Sequence, residues 1–462
     1  MENGLAARHG GRGGLAALVA ILLIGVGLRL DCAWDGREPV FDAAAYAAIA
    51  ANLEQGNGFT VGGAATQPSS NYSPGLPLLV AGAYEVTGGV HERLARVLLA
   101  LIGSLAILFT YLIGRRLSRL MPEAGTDRHQ ASLAVVAGLV GAMGVAIYPA
   151  LLEYQGMLMS EPLAATLLSA SVLAIFWASD RDGAAPWLLP GALLGATAMV
   201  RPEYLGVALL LAVAVFARVV ASDWRRALSQ AAILLAGVAI VVAPWTIRNV
   251  VTLDRVVPIS TGGGQVLFAG TYLPSDGDPE KVGAEVVARH PGLFDPADTR
   301  KLRLEQILAT LAAQRYPELE TDQALSRMGR ERLWDAASER PLEYARFVAV
   351  KIGRLWSPGP RDVMREPLWA ALHWALVGFG LLGLCLLAWR RRWEALVLAT
   401  IFLAITALSA VLVASPRRVL VMAPLVAALA GVGATWLWEV AQERRRRDAS
   451  PGETPRSAQS WL

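Results

Sequence analysis

The sequence predicts an all-α, polytopic membrane protein. Of its 462 residues 55% are hydrophobic and only 17% charged, where soluble chains carry about 25% charged residues. Ten apolar runs approach the ~20 residues a bilayer helix needs. The arginines between them sort to alternate connections. The formal charge of +4 is concentrated in short loops, so it reads as membrane topology rather than nucleic-acid binding.

The spans fall at 14–34, 93–114, 131–149, 160–178, 185–200, 203–220, 227–247, 367–389, 394–414 and 418–438. The first follows Arg8 and Arg12 and is not followed by a small-residue cleavage site, so it reads as an uncleaved span. With the N-terminus inside, one set of connections carries Arg115, Arg116, Arg119 and Arg128, then Arg181, Arg218, Arg225 and Arg226. The same side carries Arg390 to Arg392 and Arg444 to Arg447. That bias sets the orientation and predicts a multi-pass membrane protein whose N-terminus is cytoplasmic. Residues 1–249 then form an N-terminal transmembrane module, 367–440 the C-terminal spans, and 441–462 a disordered cytoplasmic tail. Cys32 and Cys385 fall far apart in this threading, so no disulfide is expected.

The first outer loop, 35–92, has structure of its own. Ala43, Tyr46, Ala47, Ile49, Ala50 and Leu53 recur at helical spacing before Gly56, which predicts an amphipathic helix over 42–55 in the interface. Pro74 to Val86 is too short to span comfortably and is read as a second interfacial helix. Residues 250–366 form an outer subdomain. It opens on a Gly-rich, strand-prone stretch (Val256 to Ala269) and continues in helix-patterned segments at 298–316 and 320–356.

This threading gathers Asp42, Glu161, Arg201, Arg248 and Arg417 on the outer face, from five separate connections. Ionisable groups at span ends facing a bundle are functional candidates, because hydrocarbon excludes unpaired charge. The plainer reading of each is a helix cap, as for Asp42, or a first-turn acid favoured by the helix dipole, as for Glu161. Arg201, Arg248, Arg417 and Arg418 run against the positive-inside bias, and an anion would account for them, since a guanidinium fork suits phosphate oxygens. Other signals are weak. Asp180-Arg181-Asp182 has nucleotide-sugar spacing but lies in a short cytoplasmic loop. Gly262 to Gly264 lacks the context of a phosphate loop. The five His show no metal-ligand spacing.

In order, these pieces resemble a family. The motifs are Leu28-Arg29-Leu30; Asp42, Tyr46, Ile49, Ala50, Leu53, Gly56, Gly58 and Phe59; Ser73-Pro74-Gly75-Leu76-Pro77; Arg96; and Tyr148-Pro149. Ser160-Glu161-Pro162, Arg201-Pro202, Pro244-Trp245, Arg248-Asn249 and Ser260-Thr261-Gly262-Gly263-Gly264 follow. The chain is similar to GT-C membrane glycosyltransferases of the family 39-like kind, in the bacterial branch related to protein O-mannosyltransferases and aminoarabinose transferases. It departs from the pattern at Ala43 and Tyr72, where an acid and a polar acceptor-site group are usual.

The resemblance implies a GT-C-like bundle and transfer of a sugar, with inversion, from a polyprenyl-phosphate donor to an acceptor hydroxyl of protein, lipid or glycan on the outer face. Asp42 would be the base, with Glu161 orienting the acceptor or Asp42. Arg201, Arg248 and Arg417 would hold the lipid phosphate, and Tyr46, Tyr72 and Arg96 would line the acceptor or donor pocket. No cofactor is implied with certainty; a divalent ion, if any, would sit on Asp42 and Glu161. A transporter or flippase for a lipid-linked or anionic substrate is the alternative. It would favour charge near the bilayer midplane, whereas these groups lie at one rim.

Overall fold

The computed structural model describes residues 2–36, 38–62, 68–121, 127–294 and 302–449, without the side chains of 2–12, 127, 128, 447 and 449. Among the described residues all regular structure is helical. The chain opens with α1 (Glu2–Trp34), then two short helices, α2 (Asp42–Glu54) and α3 (Gly75–Thr87), packed on each other. The bundle continues with α4 (Glu92–Ser118), α5 (Asp127–Ala146), the short α6 (Pro149–Gln155) and α7 (Ser160–Ser179). Next come α8 (Leu188–Val200), α9 (Glu203–Val219) and α10 (Trp224–Leu253). Five helices sit between the two groups of spans: α11 (Gly263–Gly270), α12 (Val282–Arg289), α13 (Leu304–Arg315), α14 (Thr321–Glu339) and α15 (Pro341–Leu355). The chain closes with α16 (Pro367–Trp389), α17 (Trp393–Val411) and α18 (Pro416–Ala449).

Eight of these helices (α1, α4, α5, α7, α10, α16, α17 and α18) are long and apolar enough to cross a membrane. The other two expected spans, 185–200 and 203–220, do form helices, but α8 and α9 have 13 and 17 residues. Proline at 202 and the extended Arg201 between them stop both short. Helix α18 is the axis of the bundle: 83% of its most apolar window is buried, against 22% for α1 and for α16. It packs on α16, α5, α4 and α7. Close approach there needs small residues, as in membrane helix pairs generally. A Cβ at Gly431 would collide with the Ala137 carbonyl of α5.

Three features differ from expectation. The stretch Val256 to Ala269 forms no strand. Its extended half has no partner strand, and its carbonyls are taken instead by side chains of α10: Trp245 Nε1 donates to Ile259 O (2.8 Å) and Asn249 Nδ2 to Val257 O (2.9 Å). Its second half is α11. Helix α2 is not a free amphipathic surface helix, for it buries Ala43, Ala45, Tyr46, Ala47, Ile49, Ala50 and Asn52. Residues 441–449, expected as disordered tail, extend α18 through a Glu/Arg-rich sequence of good helix formers; 450–462 lie outside the described residues, as do 298–301 of the first helix-patterned segment. A second hydrophobic cluster, centred on Phe268, Val282, Val286, Leu308, Leu311 and Leu325, lies within 268–328.

Charge divides between the two ends of the spans. At one end Arg116 pairs with Asp180 and with Glu394 (3.3 Å), Arg226 with Asp182 (3.1 Å), and Arg218 donates to Ser179 O (3.1 Å). Asp180 and Asp182 are thus tied to arginines. Asp180 caps the C-terminal end of the 20-residue α7 and Glu161 lies in its first turn, so about 30 Å separates that end from the one described next.

Candidate active site

At the opposite end, three connections converge. Asp42 is the first residue of α2 and Glu161 lies in the first turn of α7, where the helix dipole favours an acid. Arg417 opens α18 behind Pro416. Two residues leading into this site have a positive φ, Phe41 (51°) and Leu158 (50°). That conformation is costly for bulky side chains and persists only where surrounding structure enforces it.

Arg417 bridges the two acids. Its Nε donates to Glu161 Oε1 (2.6 Å) and its Nη1 to Asp42 Oδ2 (3.0 Å), while its guanidinium carbon lies 5.8 Å from the centre of the Tyr154 ring. Arg201 reaches the same Glu161 oxygen from the α8–α9 turn, through Nη1 at 3.2 Å. Glu161 is wholly buried and Asp42 is 41% exposed in its side chain, so of the two acids only Asp42 is open to a substrate. An unpaired carboxylate at Glu161 would be prohibitive there; two guanidiniums make it tolerable. Arg417 already lies between Asp42 and Glu161, where a divalent cation would have to sit. A hard cation prefers several free anionic oxygens, so this arginine-compensated pair does not fit one.

Beside the acids, Tyr46 packs edge-to-face on Tyr72, ring centres 5.8 Å apart. Burial, then the neighbouring Asp42 and Glu161, push the Tyr46 hydroxyl up to about 12, so it stays a donor at neutral pH. A cavity of about 890 Å³ opens over the site. Asp42, Arg417, Arg361, Tyr154 and Glu280 form its polar part; Val40, Phe41, Met157 and Met159 border it from the bundle side, and Gly283, Ala284, Val287 and Ile307 from α12 and α13.

The structure therefore brings Asp42, Glu161, Arg201, Arg417 and the Tyr46–Tyr72 pair together. It does not bring Arg248 or Arg96. Arg248 stacks on Trp245 (4.8 Å) and Phe59 (5.6 Å) and donates to Ser69 O at 3.3 Å. Arg96 is buried and donates to Ala33 O at 3.1 Å, anchoring the end of α1. Arg29 plays a similar structural part, donating to Val145 O (2.9 Å) and Ala146 O (3.2 Å) and so satisfying carbonyls at the end of α5. Sequence reasoning missed Tyr154, Arg361 and Glu203. Arg361 pairs with Glu153 at the cavity wall. Glu203 stands two residues after Arg201 and accepts from its Nε at 2.9 Å; an acid so close to an outward arginine was the signal available.

The fold is similar to that of the oligosaccharyltransferase of Archaeoglobus fulgidus in its apo form, with TM-score 0.55 and 17% identity over 96% of this chain and 53% of that one. The same enzyme, AglB, in complex with an inhibitory peptide and a dolichol-phosphate gives TM-score 0.53 and 17% identity, over 96% and 52%. ArnT from Cupriavidus metallidurans bound to undecaprenyl phosphate aligns over 96% of this chain and 81% of that one, at 16% identity. Its TM-score of 0.40 is too low to carry the comparison further. No family model and no curated protein matches the sequence. The chain spans about half the length of the archaeal enzyme and has the GT-C fold expected from its motifs.

Proposed function

We propose that the chain is a glycosyltransferase that moves a sugar from a polyprenyl-phosphate donor to an acceptor hydroxyl, at the outer face of a bacterial cytoplasmic membrane. The observation that carries this reading is the bridge Asp42–Arg417–Glu161–Arg201 beneath a large cavity. Two further points support it. The fold is one found in an enzyme solved with a dolichol-phosphate, and the arginine-rich end of the spans lies opposite the site, as the positive-inside bias requires. The charged groups cluster at helix ends rather than at mid-bundle, which favours an enzyme over a transporter.

In this reading Asp42, the exposed acid, accepts the proton of the acceptor hydroxyl. The acceptor oxygen attacks the anomeric carbon from the face opposite the phosphate and the bond from that carbon to the phosphate oxygen breaks, inverting the configuration. The departing lipid phosphate gains one negative charge, and Arg417 and Arg201 stabilise it where it develops. Glu161 fixes both guanidiniums in place and does not touch the substrate. The cavity between the bundle and α12–α13 admits the acceptor.

Purified protein in nanodiscs tests the anion site with undecaprenyl phosphate as probe. The wild type binds it, and Arg417→Gln weakens binding by about 2–3 kcal/mol, the worth of a charge-assisted pair. Equal affinity of the two proteins would remove Arg417 from the phosphate site and the reading with it.

A further inference from the structure

The acid that sequence reasoning missed is not among the residues that line the cavity. Glu203 is the first residue of α9, following the extended Arg201 and Pro202. Its side chain is only 13% exposed. One oxygen, Oε1, receives Arg201 Nε at 2.9 Å and lies 4.0 Å from Arg418 Nε. Arg418 is held in turn by Ser409, whose Oγ accepts from its Nη1 at 3.1 Å. Arg201 is therefore gripped on two sides. Glu203 takes Nε, which leaves Nη1 aimed at Glu161 (3.2 Å) and Ser160 Oγ (3.5 Å).

Formal charges in this cluster balance. Three acids, Asp42, Glu161 and Glu203, face three arginines, Arg201, Arg417 and Arg418, through a continuous set of pairs. Without Glu203 the cluster carries an excess positive charge before any reaction begins. With it, the resting cluster is neutral. Protonation of Asp42 by the acceptor then creates one net positive charge in the protein at the moment the leaving phosphate gains one negative charge. An interaction that strengthens only as charge develops accelerates the reaction, whereas one present throughout merely tightens binding of the lipid.

We propose that Glu203 is a positioning residue for the transfer: it holds Arg201 toward Glu161 and keeps the resting cluster neutral, so that grip on the lipid phosphate appears with its charge. The inference rests on the transferase reading above. It makes a signature that a purely structural role cannot, because affinity and turnover move in opposite directions.

The test compares wild type, Glu203→Gln, Glu203→Asp and the double variant Glu203→Gln/Arg418→Gln in nanodiscs. Undecaprenyl phosphate is the binding probe, and restoration of envelope glycans in a deletion strain is the readout of transfer. Glu203→Gln binds the probe about ten-fold tighter, as one uncompensated charge roughly 10 Å away gives at an effective dielectric of about 20. Its transfer falls by about ten-fold or more, as arginine placement loosens. Glu203→Asp keeps the charge and the wild-type affinity, and the double variant, neutral again, returns to it. Unchanged or weaker affinity in a folded Glu203→Gln overturns the proposal, as does full transfer. Should Glu203→Gln fail to fold, the double variant and Glu203→Asp decide: affinity away from wild type in either contradicts charge balance. A wild type that binds no probe, or an Arg417→Gln that binds equally well, sinks the transferase reading itself. Loss in Arg417→Gln with no change in Glu203→Gln sinks only the role of Glu203.

Discussion

At the residue scale the site depends on charges that are costly singly and tolerable together. Glu161 has no exposure and two arginine partners, so its removal leaves guanidiniums without a counter-charge. Glu161→Gln is expected to destabilise the folded protein by about 3–5 kcal/mol, the usual penalty for breaking a buried pair, as measured by thermal unfolding in detergent. Asp42→Asn removes an exposed partner and should cost ~1 kcal/mol or less. Stability losses of similar size for both variants would mean that Glu161 is not the buried anchor described. Single residues are only partly legible from sequence. Glu161, Arg201 and Arg417 stand out because each is charged at the end of an apolar run, and Asp42 because it opens the first outer-loop helix. Arg248 and Arg96 have the same appearance, but one stacks on aromatic rings and the other donates to a helix-end carbonyl. Only packing distinguishes these fates.

At the element scale the spans are legible because a helix that crosses hydrocarbon needs a long apolar run. The segment 256–269 reads as strand because β-branched residues suit any extended backbone, yet its carbonyls find side-chain donors on α10 rather than a neighbouring strand. A second element-scale device is invisible in the sequence. Lys351 of α15 is 1% exposed, and its Nζ donates to Gly270 O (2.6 Å) and Ala410 O (2.8 Å), at the ends of α11 and α17. It thereby staples the segment 263–355 to the end of a membrane helix. Burial, helped by the nearby charge of Arg418, pushes its pKa down to about 7. A neutral amine has two N–H donors, matching the two carbonyls. An unfolded lysine keeps its proton to about pH 10, so unfolding takes up a proton between pH 7 and that value. Stability therefore rises with pH across that window. The melting temperature in detergent should be higher at pH 9 than at pH 6.5, and Lys351→Met should flatten that slope. A slope that survives the substitution would assign the effect to another group.

On the scale of the whole molecule, one bundle keeps two charged ends about 30 Å apart. Arginines cross-brace the end where Arg116, Arg218 and Arg226 lie. The acids and arginines of the other end meet under a cavity roofed by α12 and α13. The sequence order of Asp42, Glu161, Arg201 and Arg417 predicts their shared face, since alternation through a membrane allows little else. Their mutual geometry is not legible there, because it depends on how α18 threads between α4, α5, α7 and α16.

The central claim is that this meeting point transfers a sugar, with Asp42 as the base. Mass spectrometry of envelope glycans from a deletion strain, tested with wild-type and with Asp42→Asn genes supplied in trans, examines it most directly. A sugar substituent that vanishes on deletion, returns with the wild type and stays missing with Asp42→Asn is the predicted result. An identical glycan profile in all three strains, or full restoration by Asp42→Asn, would contradict it.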